Sequence, residues 1–107
     1  MTLVEKSFKE LSQMIEEVAE RFFIAKKVCH LSEQGEILAE NDAACRFYLS
    51  KVEAAYQTLD AREQNLINNE FFYQNYHNWW TSLYPKTSFY RFKRKAMLKF
   101  LEAFYHA

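Results

Sequence analysis

The chain has 107 residues, half of them hydrophobic and 18% aromatic, and its 14 basic and 14 acidic side chains leave a formal net charge of zero. This length suits one domain around one core, and the aromatic content supplies enough burial to exclude a disordered chain. A single glycine, Gly35, and a single proline, Pro85, leave too little turn chemistry for a sheet. No run of about 18 apolar residues is present to cross a membrane. Two cysteines, Cys29 and Cys45, occur without an apolar leader, so a disulfide framework has no context. The expectation is an all-α single domain, cytoplasmic, with no membrane partner.

In chain order, Thr2 is a plausible N-cap, and Val4, Phe8, Leu11, Ile15, Val18, Phe22, Ala25 and Cys29 recur at spacings of four and three. That pattern predicts an amphipathic helix of about 25 residues and about 40 Å with a heptad-like seam. The period breaks over His30 to Gly35 and resumes from Ile37, where Leu38, Cys45, Tyr48, Leu49, Val52, Tyr56 and Leu59 share a side and Asn41 places a polar group on the seam. The two helices form a hairpin over residues 1–58, read as a self-association element that makes the protein a homo-oligomer.

Asp60 followed by Glu63 has the spacing of a capping box, and the helix it opens presents Leu66, Ile67, Phe71 and Phe72 to the core. A polar aromatic stretch, Tyr73 to Asn78, leads to a short predicted helix around Trp79, Trp80 and Leu83. Pro85 turns the chain, and Thr87 or Ser88 caps a last helix running to about Tyr105. Phe89, Phe92, Ala96, Phe100 and Ala103 mark its inner face, and Ser88, Arg91, Lys95 and Glu102 its outer face, at about 100° per residue.

The zero net charge is unevenly spread. Residues 1–83 carry 8 Lys and Arg against 13 Asp and Glu, a net of −5, and residues 84–107 carry 6 against 1, a net of +5. A basic block on one helix is the electrostatic footprint of a phosphate backbone, and also that of a solvated helix face. A short brace helix, a turn and a basic amphipathic helix form the arrangement that seats the second helix in the major groove of duplex DNA. Here the brace is Trp79 to Leu83 and the recognition helix starts at Thr87. Thr87, Ser88, Arg91 and Lys95 then face base edges, with Arg91 suited to the O6 and N7 acceptors of guanine. Lys86, Lys93, Arg94 and Lys99 fall to phosphates.

At these residues a family resemblance appears. The run Tyr84-Pro85-Lys86-Thr87-Ser88-Phe89-Tyr90-Arg91-Phe92-Lys93-Arg94-Lys95-Ala96, followed by Phe100-Leu101, resembles the recognition helix of phage ArpU-type transcription regulators, themselves similar to region 4 of bacterial sigma factors. Leu59-Asp60-Ala61-Arg62-Glu63-Gln64-Asn65-Leu66-Ile67 resembles the opening of the same unit. The likeness covers residues 59–104 and implies a helix-turn-helix that binds DNA as a transcriptional regulator. The brace departs from the pattern in its two tryptophans, and the turn in its proline. The alternative is a helical protein-interaction module with a degenerate helix-turn-helix, whose basic helix pairs with the acidic N-terminal hairpin.

Other chemistry finds no motif. Cys29, His30, Cys45, His77 and His106 lack the pair spacing of a zinc site. The acidic runs lack the Glu-x-x-His partner of di-metal bundles. Phosphate loops and nucleophile elbows are missing. No enzyme, cofactor, metal or small-molecule substrate is expected. Trp79 and Trp80, with Tyr73 and Tyr76, read as core aromatics before they read as a stacking platform for bases.

Overall fold

The computed structural model describes residues 2–35, 39–73 and 76–106, and of Ser32 and residues 39–42 the backbone alone. The described residues form four α-helices and no strand: α1 (Phe8–Glu33), α2 (Ala39–Gln57), α3 (Ala61–Ile67) and α4 (Lys86–Tyr105). The all-α class is as the sequence reads, and among the described residues no helix is long and apolar enough to cross a membrane. The expected helix start at Ile37, Leu38 as a seam residue and the side chain of Asn41 lie outside the described residues.

The first helix does not begin at Thr2, whose side chain makes no capping bond. Leu3–Glu5 forms a short 3-10 turn, which carries Val4 off the apolar stripe to the exterior and lets Leu3 pack on the core instead. The true start is a capping box. Ser7 Oγ accepts from the Glu10 amide at 3.1 Å, and Glu10 Oε1 accepts from the Ser7 amide at 3.0 Å, so two orphan donors are satisfied together. From there Leu11, Ile15, Val18, Phe22, Ala25 and Cys29 are buried as the period requires. The helix is followed by Gly35, whose φ of +76° is the left-handed conformation that only glycine adopts without strain.

α2 folds back on α1 and buries Val52 and Ala55, with Leu59 just beyond its end. Tyr48 Oη donates to the Val18 carbonyl at 3.2 Å, and burial holds its phenol above the ordinary pKa, so it remains a donor. Asp60 then opens α3 through the expected box. Its carboxylate accepts from the Glu63 amide at 2.8 Å, and Glu63 Oε1 accepts from the Asp60 amide at 2.9 Å.

Two adjacent pairs five residues apart, Leu66-Ile67 and Phe71-Phe72, all reach the core. An α-helix places residues five apart about 140° from each other. The chain resolves this by widening into a π turn over Asn68–Phe72, closed by the Tyr73 amide on the Asn68 carbonyl at 2.7 Å. Phe72 thereby stacks on Phe100 of α4 at 6.0 Å and meets Phe22 of α1 edge-on at 5.4 Å. One contiguous core joins all four helices.

The amides that bond Asp60 and Glu10 hold both carboxyls below their ordinary pKa. A depressed folded pKa stabilises the fold above the unfolded value, about 4, and that contribution is lost as pH falls further. Asp60→Asn keeps a capping oxygen but does not titrate. Urea unfolding of this variant is expected to show a shallower loss of stability below about pH 4 than the parent chain. An unchanged acid limb would show that Asp60 does not carry the linkage.

Candidate nucleic-acid interface

Pro85, not Thr87 or Ser88, is the N-cap of α4. Its extended backbone (φ −64°, ψ 152°) aims its carbonyl at the Phe89 amide, 2.9 Å away. Proline is pre-set for this geometry and needs no side-chain oxygen, so the helix starts earlier than expected, at Lys86. Thr87 and Ser88 stand exposed in the first turn, which contains no acidic residue. The positive end of the helix dipole and its unbonded amides therefore face outward.

The segment expected to brace this helix is not helical. Trp79, Thr81 and Leu83 donate to the carbonyls of Tyr76, Asn78 and Trp80 at 3.0, 3.1 and 2.9 Å, a series of turns. The tryptophans supply the reason. Neighbours on a helix point about 100° apart, whereas both indoles pack on one ring: Trp80 stacks on Phe89 at 4.2 Å with a 3° interplanar angle, and Trp79 meets it edge-on at 5.9 Å. Both are half-buried, so they are core-edge residues, while Tyr73 and Tyr76 are exposed.

The inner face of α4 is turned from the expected one. Met97, Leu101 and Phe104 are buried beside Phe89, Ala96 and Phe100, while Ala103 and Phe92 are only half-buried, the Phe92 ring lying 5.2 Å beneath the Arg62 guanidinium. This rotation carries Lys93, four residues after Phe89 and four before Met97, to the inner face. Its Nζ lies 2.6 Å from Glu70 Oε1, and both side chains are only 14% exposed. The other Glu70 oxygen accepts from Trp79 Nε1 at 2.8 Å. The ammonium also lies 5.2 Å and 5.4 Å from the centres of the Phe71 and Phe8 rings.

Two more of the expected phosphate contacts are held by the chain itself. Arg94 donates to the Val4 and Lys6 carbonyls at 3.1 and 3.0 Å and pins the N-terminal turn to α4. Lys99 Nζ lies 2.9 Å from Oε1 of Glu63, a carboxylate that is 2% exposed. Among the described residues the basic helix thus forms its ion pairs with Glu63 and Glu70 around α3 and none with the acidic hairpin.

Lys86, Thr87, Ser88, Arg91 and Lys95 are exposed, and their side chains make no hydrogen bond or ion pair among the described residues. Arg91, Arg94, Lys95 and Lys99, with Leu98 and Glu102, surround a shallow hollow of about 420 Å³. The structure therefore brings four of the eight sequence-designated residues around one shallow hollow, with Lys86, Thr87 and Ser88 on the turn before it, and withdraws Lys93.

Glu63 and Glu70 were missed as partners. Their signal was a spacing of seven beside the buried Leu66 and Ile67, which puts both on the border facing a neighbouring helix. Cys29 and Cys45 are not joined in a disulfide, and among the described residues no group of three His, Cys, Asp or Glu side chains is arranged to hold a metal. Comparisons with protein families, with characterised proteins and with solved structures find no match for the chain.

Proposed function

We propose that this protein is a small DNA-binding transcriptional regulator that inserts the outer face of the first half of α4 into the major groove. The observation that carries this reading is the sorting of cations on one helix: Lys93 is consumed by the fold, whereas Arg91 and Lys95 stand open beside Thr87 and Ser88. A helix fits the major groove, and an arginine fork reads guanine there. Arg91 is assigned the base contact, with Ser88 and Lys95 beside it. Lys86, Thr87 and the amides of the first turn receive phosphate. Arg94 and Lys99 supply charge to the same backbone while keeping their internal bonds.

In this reading the chain is a cytoplasmic binding protein without catalysis, cofactor or metal. The turn-rich segment before α4 replaces the brace helix, and the Trp80–Phe89 stack fixes the angle at which α4 leaves it.

Fluorescence anisotropy with labelled duplex DNA tests the proposal. Affinity is expected to fall steeply between about 50 and 200 mM salt. Arg91→Ala with Lys95→Ala is expected to weaken binding at least about tenfold and to lower the salt slope by roughly one unit. Binding indifferent to salt, or a double variant that binds like the parent, overturns the reading.

A further inference from the structure

We infer that the open groove between α1, α2 and the π turn binds a small organic amine in its protonated form, an ammonium group carried on a flat apolar body. The groove has a volume of about 540 Å³, within the range of small-molecule sites. Its walls carry four aromatic rings: Phe22 of α1, Tyr56 of α2, and Phe72 and Tyr73 at the π turn. Phe22 and Phe72 are each only 9% exposed, and their rings stand 82° apart, so the floor is a fixed aromatic corner. The bond that closes the π turn runs from the Tyr73 amide to the Asn68 carbonyl, and both residues line the groove. Widened turns of this kind often mark functional sites.

Charge selects the ligand. Among the described residues Glu53 is the one charged side chain that lines the groove, and its carboxylate makes no hydrogen bond or ion pair there. It lies three residues before Tyr56 and so shares a face of α2 with it. An anion in the groove meets repulsion, and a neutral body laid against Glu53 strips water from a carboxylate without replacing its hydrogen bonds. An ammonium offers that carboxylate up to three donors and is attracted to the faces of the surrounding rings. The chain displays the same preference internally: Lys26 Nζ lies 5.4 Å from the centre of the Phe22 ring, although Lys26 does not line the groove. Asn68 adds an acceptor, because its Nδ2 donates to Tyr56 Oη at 2.6 Å and leaves Oδ1 for a ligand donor.

Titration of the isotope-labelled full chain, followed by amide NMR at neutral pH and constant ionic strength, tests this with three probes of similar shape: phenethylammonium, phenethyl alcohol and phenylacetate. The ammonium is expected to give saturable shifts centred on the amides of Glu53, Tyr56 and Tyr73 and to bind at least about fivefold tighter than the alcohol. Phenylacetate is expected not to bind. Glu53→Gln is expected to bring ammonium and alcohol to within about twofold of each other, with the melting temperature unchanged because the side chain is exposed. Tyr73→Ala, also at an exposed position, is expected to weaken the ammonium at least about threefold. An ammonium without saturable shifts in this groove, an alcohol or phenylacetate that binds as tightly, a Glu53→Gln chain that keeps the preference, or a Tyr73→Ala chain that binds like the parent overturns the proposal. The titration contains no nucleic acid, so its outcome leaves the DNA reading as it stands.

Discussion

Lys93→Ala is expected to destabilise the protein by about 2–3 kcal/mol, whereas Arg91→Ala, two residues away on the same helix, is expected to change stability by less than about 0.5 kcal/mol. Both substitutions remove one positive charge from the basic segment, so net charge cannot account for the difference. Lys93 is only 14% exposed and closes a chain of contacts from α4 through Glu70 to the Trp79 indole. Without the ammonium, Glu70 retains a single donor and remains largely cut off from water. Removing one member of a fully buried pair costs about 3–5 kcal/mol, and partial exposure lowers that figure here. The loss corresponds to a fall in melting temperature of roughly 10 °C or more in a domain of this size. Lys93→Met with Glu70→Gln is expected to recover most of it: the methionine keeps the stem against Phe8 and Phe71, and the glutamine oxygen still accepts from Trp79. Thermal melts of the four chains, with anisotropy on DNA below the lowest melting temperature, separate the two roles. A Lys93→Ala chain that melts like the parent and fails to bind DNA would return Lys93 to the interface.

The elements whose signals are local were legible in the sequence, and those that depend on a neighbour were not. The α1 stripe, the Asp60–Glu63 box and the four buried apolar residues of α3 and its π turn follow from period and capping chemistry. The Ser7-Phe8-Lys9-Glu10 box was written in the chain just as plainly, but Thr2 stood nearer the first apolar residue and hid it. The error on α4 was one of averaging. Phe89, Phe92, Ala96, Phe100 and Ala103 define a face centred too far from Met97, Leu101 and Phe104, and basic character alone assigns Lys93 to phosphates. Nothing in α4 by itself reveals that Glu70, more than 20 residues earlier, waits on the other side. The same limit applies to Trp79–Leu83, where apolar spacing suits a short helix and contact with a single phenylalanine selects turns instead.

Phe89→Ala is expected to have the largest effect of any single substitution in the chain, a loss of about 3–5 kcal/mol. Phe89 is 1% exposed and is the one ring touched by both tryptophans, by Tyr90 at 5.3 Å and by Tyr84 at 6.2 Å. The segment carrying those tryptophans has no regular helix to hold it in place, so its position depends on these contacts and on the Trp79–Glu70 bond. Truncation opens a cavity at the first turn of α4 and removes the stacking partner of Trp80. Tryptophan emission is therefore expected to shift to longer wavelength under conditions where far-UV helicity is still intact, because α2 meets the opposite end of α4, where Tyr48 packs on Phe104. Phe89→Leu refills most of the volume and should cost about half as much. DNA affinity is expected to fall in both variants in proportion to the emission shift, although neither removes a charge, since a recognition helix held at the wrong angle loses its contacts together. A Phe89→Ala chain with native emission and native affinity would show that the Trp80 stack does not orient α4.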